Sequence, residues 1–455
     1  MKKIDSVKFN IDYRVEDYLL NTKWEDLPEE VQKRALVCSI DLMHALILGS
    51  CGKQYEAGLR MARGMGSYGN IPMIGTKDTF NFWGATVALC HASNSFDIDD
   101  GHNMIKGHPG TSFVAGVLAA ALERNVSYKE YLTTLVVSYE TTIRCALALH
   151  DYYQYFHSTG AYGGYGTAAG AGRLMRLSRE QLNNALSIAE FHGPLVTSMR
   201  SVEYPSMNKD GVPFGAMVGA LAILDTMAGS TGIGNLLEMP QYQHHVDSLG
   251  KEYEILNLYF KPYTCCRWAH PAIAACTDTM RANGLTADQI EAVKVYTFDA
   301  ATKLSKMRPR NTDEAQYNIA YPVAAAIVKG DCGYAQVCED GLNDPDVLDM
   351  LSRLEFLVDD ELEALFPAQR LCRIEICTKD GKTYASERYR PDGEACDHVD
   401  MEWEEKKFRR ITAPLMTAEQ QTEILELLRG DLDVPMYDIV QKINRIMIPI
   451  RDRIM

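Results

Sequence analysis

Residues able to do chemistry crowd into one stretch of this 455-residue chain, residues 91–112, HASNSFDIDDGHNMIKGHPGTS. Asp97, Asp99 and Asp100 share 18 residues with His91, His102 and His108, and Gly101, Gly107, Pro109 and Gly110 break the run into turns. Alanine-rich apolar segments flank it on both sides. A loop this rich in titratable groups, held between two buried helices, has the makings of a site. Three chemistries are open. Carboxylates and imidazoles can ligate a divalent metal, although neither an H-E-x-x-H pair nor a complete EF-hand loop occurs. A carboxylate and histidines converging on one substrate can do general acid/base work. Aspartates ahead of a glycine also cap turns with no catalytic role.

Further groups lie downstream. His157 precedes a glycine-alanine run. Lys209, in SMNKDG, stands just before an apolar helix, where the dipole disfavours a cation; a bound anion would explain it, and so would simple exposure. Residues 259–270, YFKPYTCCRWAH, bring Lys261, Arg267 and His270 together among aromatics. Lysine with arginine suits carboxylate recognition, the arginine bidentately, and a solvated basic turn is the alternative. Adjacent Cys265 and Cys266 could bridge only with strain, so they are expected to pack or to line a pocket.

These groups need a scaffold, and up to about residue 255 the apolar spacing is helical. Residues 27–48 begin Pro28-Glu29-Glu30, acids and proline in a first turn. Helices are predicted over 80–94, 111–123, 128–149, from 178, and from 215. Ser127 with Glu130 forms a capping box, and Ser178 opens its helix by the same logic. The glycine-rich residues 49–78 lack a phosphate-loop motif and read as helix followed by turns. Beyond 255, alternation over 290–297 and 371–378 predicts strands, the second entering a hairpin through Asp380-Gly381. Helices are expected over 321–329 and 346–354. Periodicity turns helical again from 417 to 455. The expected fold is mainly α: an all-helical domain, residues 1–262 with 406–455, and a smaller α+β lid domain, residues 263–405.

Composition limits the partners. A net charge of −15 argues against nucleic acid or an anionic membrane as partner, since phosphates need Lys and Arg, but leaves room for a local basic pocket around a small anion. The twelve cysteines show no doubled C-x-x-C spacing and lie mostly in apolar runs. Residues 1–17 do not read as a signal peptide, and no unbroken apolar run reaches membrane length. A cytoplasmic protein with reduced thiols is expected.

Five stretches in order, FDIDDGHNMIKGHPG, FHSTGAYGGYGTAAGAGRL, SMNKDG, KPYTCCRWAH and YNIAYPVAAAIVKG, make the chain resemble the MmgE/PrpD family over nearly its whole length. The family includes 2-methylcitrate dehydratase, cis-aconitate decarboxylase and iminodisuccinate epimerase. The resemblance implies a helical domain with an α+β lid, a homodimer, and acid/base chemistry on a small polycarboxylate with neither metal nor organic cofactor. Matched by motif, it implies catalytic roles for Asp97, His108, His157, Lys209 and Lys261, with Tyr321 near the pocket. His102, Cys266, Arg267 and His270 are expected to bind substrate. The implied activity is a 2-methylcitrate dehydratase-like hydro-lyase, with epimerase and decarboxylase as alternatives on the same scaffold. A metal hydrolase using Asp97, Asp99, Asp100 and His102, or a non-catalytic carboxylate-binding protein, stands outside that resemblance. Two positions depart from the family pattern. Gly101 stands where many members have threonine, and Lys261-Pro-Tyr-Thr264 stands where many have K-x-Y-P.

Overall fold

The computed structural model describes residues 7–397 and 399–455. After a short helix at Arg14–Asn21, the main N-terminal helices are α1 (Glu29–Gly49), α2 (Lys53–Gly64), α3 (Phe82–Ser93), α4 (Pro109–Arg124) and α5 (Tyr128–Tyr152). They are followed by α6 (Gly160–Leu174), α7 (Arg179–Phe191) and α8 (Val212–Met227). The glycine-alanine helix α6 sits at the centre, packed on α4, α5, α7 and α8. Small residues are what permit this. A methyl on Gly219 would stand 2.2 Å from the Gly164 carbonyl oxygen, and one on Gly170 would stand 2.2 Å from Ser138 Oγ. Close-packed backbones of this kind leave no room for water between these helices.

The capping signals are realised with one change. Ser178 and Gln181 form the reciprocal box. Ser127 accepts from the Glu130 N–H, but the Glu130 carboxylate turns to Arg173 on α6, 3.0 Å away, rather than back to its own helix start. An ion pair between helices has won over the local cap.

The C-terminal region carries a four-stranded sheet built from β1 (Ile290–Thr297), β2 (Leu354–Val358), β3 (Cys372–Thr378) and β4 (Thr383–Ala385). The spatial order is β2-β1-β3-β4, with β1 parallel to β2 and antiparallel to β3. The Asp-Gly hairpin forms as expected, with Gly381 in the left-handed region. Strand β2 was not anticipated: helix is predicted to 354, but it ends at Leu351, and the five residues LEFLV that follow are too short a run for alternation to register. Likewise the turns predicted in the later part of residues 49–78 form part of a small ladder, Tyr68–Pro72 with Thr79–Phe80, whose last residue lies at the start of the helix predicted over 80–94. Helices α9 (His270–Asn283) and α10 (Ala320–Lys329) cover the sheet side.

The last helices, α11 (Met401–Thr412), α12 (Ala418–Arg429) and α13 (Met436–Ile454), return to the N-terminal half. Lys407 of α11 is buried between Asp41 of α1 and Glu404. Asn444 of α13 bonds the Gly75 N–H and the Met73 carbonyl. Among the described residues no single helix is long and apolar enough to cross a membrane. Helices α1 and α2 are long and apolar enough only when taken together, and they meet at 81°.

Candidate active site

The loop between α3 and α4 is held from below by buried charges. Asp41 Oδ2 accepts from the Asp100 N–H at 2.9 Å. The Asp100 carboxylate accepts from Tyr139 Oη and from the Gly110 N–H at the start of α4. Burial, with Asp41 beside it, pushes the Asp100 carboxyl up to about 8. Asp100 therefore anchors the loop rather than facing substrate.

Above that anchor, Asp97, Asp99, His108 and Lys261 form one cluster. Lys261 Nζ lies 2.8 Å from Asp97 Oδ1 and 3.9 Å from Asp99 Oδ1. His108 Nδ1 hydrogen-bonds the Asp100 carbonyl at 3.0 Å, with Asp99 Oδ2 3.1 Å away as its charge partner. Asp97 Oδ1 is 4.0 Å from His108 Nε2. Burial and Lys261 work against a charged imidazole, but Asp99 and Asp97 outweigh them and hold His108 above its ordinary value. Asp99 resists its own burial because Lys261 and His108 hold it well below the carboxylate range. The Lys261 ammonium is fixed in its charged form by the same two aspartates. Asp97, Asp99 and His108 could also present three oxygen and nitrogen atoms to a metal ion. Here the counter-charge of the two carboxylates comes from Lys261 and the imidazole.

Asp97 and His108 face a cavity shared with Lys106, Asp210, Cys266, Arg267, Tyr317 and Arg370. Two of its cations have no carboxylate partner among the described residues. Arg370 is buried and hydrogen-bonds only Asn103 Oδ1. Lys106 lies over the Phe156 ring, 5.0 Å from its centroid. Burial lowers the pKa of both; Arg370 also opposes the charge of Lys106, and Arg267 that of Arg370, an arrangement that a bound anion would relieve. Arg267 is paired, through Glu394 at 2.9 Å, yet its Nε is buried and unbonded. Asp210 accepts from the Thr159 N–H at 2.8 Å and from the Thr159 hydroxyl, while Thr159 Oγ1 also receives the His108 N–H at 3.2 Å. Burial pushes the Asp210 carboxyl up to about 6.

Backbone strain gathers here. Six non-glycine residues have positive φ among the described residues, and three belong to this region: Asp97 at 50°, Lys106 at 57° and Lys209 at 47°. Such conformations cost on the order of 1 kcal/mol or more each and persist where the surroundings over-determine them.

Not every expected residue reaches the cavity. Asp97, His108, Cys266 and Arg267 line it, and Lys261 stands directly behind Asp97. Lys209 Nζ is turned to Gln316 Oε1 at 2.6 Å and Asp313 Oδ1 at 3.0 Å, tying the loop before α8 to the C-terminal region. His157 stacks on His150 behind the wall formed by Phe156 and bonds the Tyr153 carbonyl through Nε2. His102 pairs with Glu254 at 3.2 Å. His270 bonds the Cys265 carbonyl. Tyr321 directs its hydroxyl to the carbonyls of Gln336 and Gly341, away from the cavity, and Tyr317, four residues earlier and before that helix begins, lines it instead.

Asp99, Lys106, Asp210, Tyr317 and Arg370 are site residues the sequence reading did not select. Asp99 and Lys106 lie inside the stretch already singled out, and Asp210 adjoins Lys209. Arg370 had no signal, since its neighbours at the cavity are 53 to 273 residues away along the chain.

The family models for the MmgE/PrpD N-terminal domain and the MmgE/PrpD C-terminal domain match residues 14–255 and 263–430. The cis-aconitate decarboxylase-like protein oryM of Aspergillus oryzae is 22% identical over 92% of this chain and 96% of its own length. Two cis-aconitate decarboxylases of Aspergillus terreus are 22% and 21% identical, covering 73% and 90% of this chain and 75% and 91% of their own lengths.

Proposed function

The chain belongs to the MmgE/PrpD family, and from that premise we propose that it is a lyase that removes a proton α to a carboxylate of a small di- or tricarboxylate. The observation that carries the reading is the pair of cations without carboxylate partners, half-buried Lys106 and buried Arg370, on the same cavity as His108 and Asp210. Cations held in a dry cavity stabilise the enolate-like charge that develops when the proton leaves.

The two titrating groups on that cavity differ in their proton affinities, which supports dehydration. Asp210, with its carboxyl pushed up to about 6 by burial, is a carboxylate at neutral pH and more basic than an ordinary aspartate. His108, held above its usual value, is a proton donor. Asp210 takes the α-proton, the electron pair forms the double bond as the β-hydroxyl leaves, and His108 supplies the proton that completes water. Asp99 and Asp97 keep the imidazolium charged, and Lys261 helps keep Asp99 charged. The substrate this favours is a β-hydroxy tricarboxylate, and the enzyme is a 2-methylcitrate dehydratase-like hydro-lyase working without a cofactor as a homodimer. Loss of carbon dioxide from an unsaturated tricarboxylate is the second reading, favoured by the names of the relatives. It needs the donor His108 but no base.

The cavity has only about 60 Å³ of free volume, far below the ~300 Å³ at which ligand pockets begin. Substrate entry therefore requires the wall carrying Arg267 and Arg370 to move off the loop. The test is a panel of hydroxy-, amino- and unsaturated polycarboxylates incubated in deuterated water and followed by NMR. Dehydration of a hydroxy acid is expected. Solvent exchange alone would indicate an epimerase, loss of carbon dioxide a decarboxylase, and inertness of the whole panel would refute the reading.

A further inference from the structure

Gly101 lies in a two-residue antiparallel ladder, directly opposite Tyr259. It does not have a positive φ, so its backbone does not require glycine. The space does. A Cβ on residue 101 would stand 2.2 Å from Tyr259 Cζ and 2.3 Å from its Oη. The tyrosine ring occupies the volume that any side chain at 101 would fill.

Three features describe what that ring brings. Tyr259 is buried, 3% exposed, and forms part of the cavity wall. The Arg267 guanidinium lies over its face, 4.7 Å from the centroid, fixing the ring. The hydroxyl has no hydrogen-bond partner among the described residues, and the nearby charges are those of Arg370, Lys261, Arg267 and Glu394. A phenol hydroxyl on a cavity wall that no protein group engages is free to donate to whatever occupies the cavity.

We infer that Gly101 and Tyr259 are a matched pair in which the glycine admits the phenol, and the phenol donates a hydrogen bond to a substrate carboxylate held by Arg370 and the free Nε of Arg267. This specificity subsite rests on the polycarboxylate reading above. It selects a ligand with a carboxylate on the Arg370 side, remote from the carbon that His108 and Asp210 serve.

Two measurements test it. Tyr259→Phe keeps the ring and loses the donor, so kcat/KM on the best substrate of the panel falls about 10- to 150-fold, the worth of one hydrogen bond to a charged group, with an unchanged thermal midpoint. Gly101→Ala forces the ring aside, so it lowers the midpoint by about 1–3 °C beside Tyr259 and by much less in the Tyr259→Ala background. An active wild type with a Tyr259→Phe variant equal to it overturns the subsite and leaves the lyase reading intact. Equal effects of Gly101→Ala in both backgrounds overturn the pairing. A wild type that neither turns over nor binds any polycarboxylate, tricarballylate included by calorimetry, overturns both readings together.

Discussion

Replacing Asp99 by asparagine removes a charge and little volume, and its consequence can be worked from the geometry. Asp99 Oδ2 is 3.1 Å from His108 Nδ1. Two unit charges at that distance interact by about 5 kcal/mol at an effective dielectric of ~20. Lys261, 3.9 Å from the other Asp99 oxygen, offsets part of this. An opposite charge so placed ordinarily moves a titrating group by about 1–3 in pKa. His108 is raised only because Asp99 and Asp97 outweigh burial and Lys261, so in the variant the lowering influences prevail and it falls below its ordinary value. The wild-type rate should be bell-shaped in pH. The acid limb near 6 is Asp210 gaining its proton, and the alkaline limb is His108 losing its own. In Asp99→Asn the alkaline limb moves acidward by about one to two pH, the acid limb stays, and kcat/KM at pH 8 falls about 10- to 100-fold. Steady-state kcat/KM between pH 5 and 9 for both proteins is the assay. An alkaline limb that does not move would refute His108 as the proton donor held charged by Asp99.

Other perturbations have equally definite outcomes. Arg370→Gln removes an unpaired buried cation, and KM for a tricarboxylate should rise about 10- to 100-fold with a smaller change in kcat; an unchanged KM would remove Arg370 from the anion site. Lys407→Met leaves Asp41 and Glu404 buried without their cation and should cost about 3–5 kcal/mol in denaturant unfolding at pH 8. Both carboxyls are raised to about 7, chiefly by burial. At pH 5 they are protonated in the fold and the deficit shrinks; equal deficits at the two pH values would contradict this. Lys209→Met unties Gln316 and Asp313, so steady-state kinetics should show a lowered kcat/KM even though the lysine nitrogen does not line the cavity.

The helical scaffold was legible because its cause is local. Apolar residues at helical spacing must be buried on one face, and Ser127, Ser178 and Pro28 mark helix starts within a few residues of themselves. The hairpin through Asp380-Gly381 was legible for the same reason, and strand β2 was not, because a short parallel strand depends on a partner about sixty residues earlier. The site divides along the same line. Sequence alone selected the 91–112 loop, Lys261 and Arg267, since each lies in a dense cluster of chemically capable residues, and the family followed from the order of such clusters. Which aspartate serves which group was decided only by tertiary structure. Asp99 goes to the imidazole, Asp97 to Lys261, and Asp100 downward to Tyr139, because the loop turns through the positive φ of Asp97 and is gripped from beneath by Asp41. The placement of Arg370, Asp210 and Tyr259 on one cavity, and of Tyr321 off it, likewise came from packing. A cavity is made where distant segments fail to fill space, and no local pattern records where that happens. Gly101 joins the two sides: the sequence marked it as a departure from its relatives, and the ring of Tyr259 supplies the steric reason.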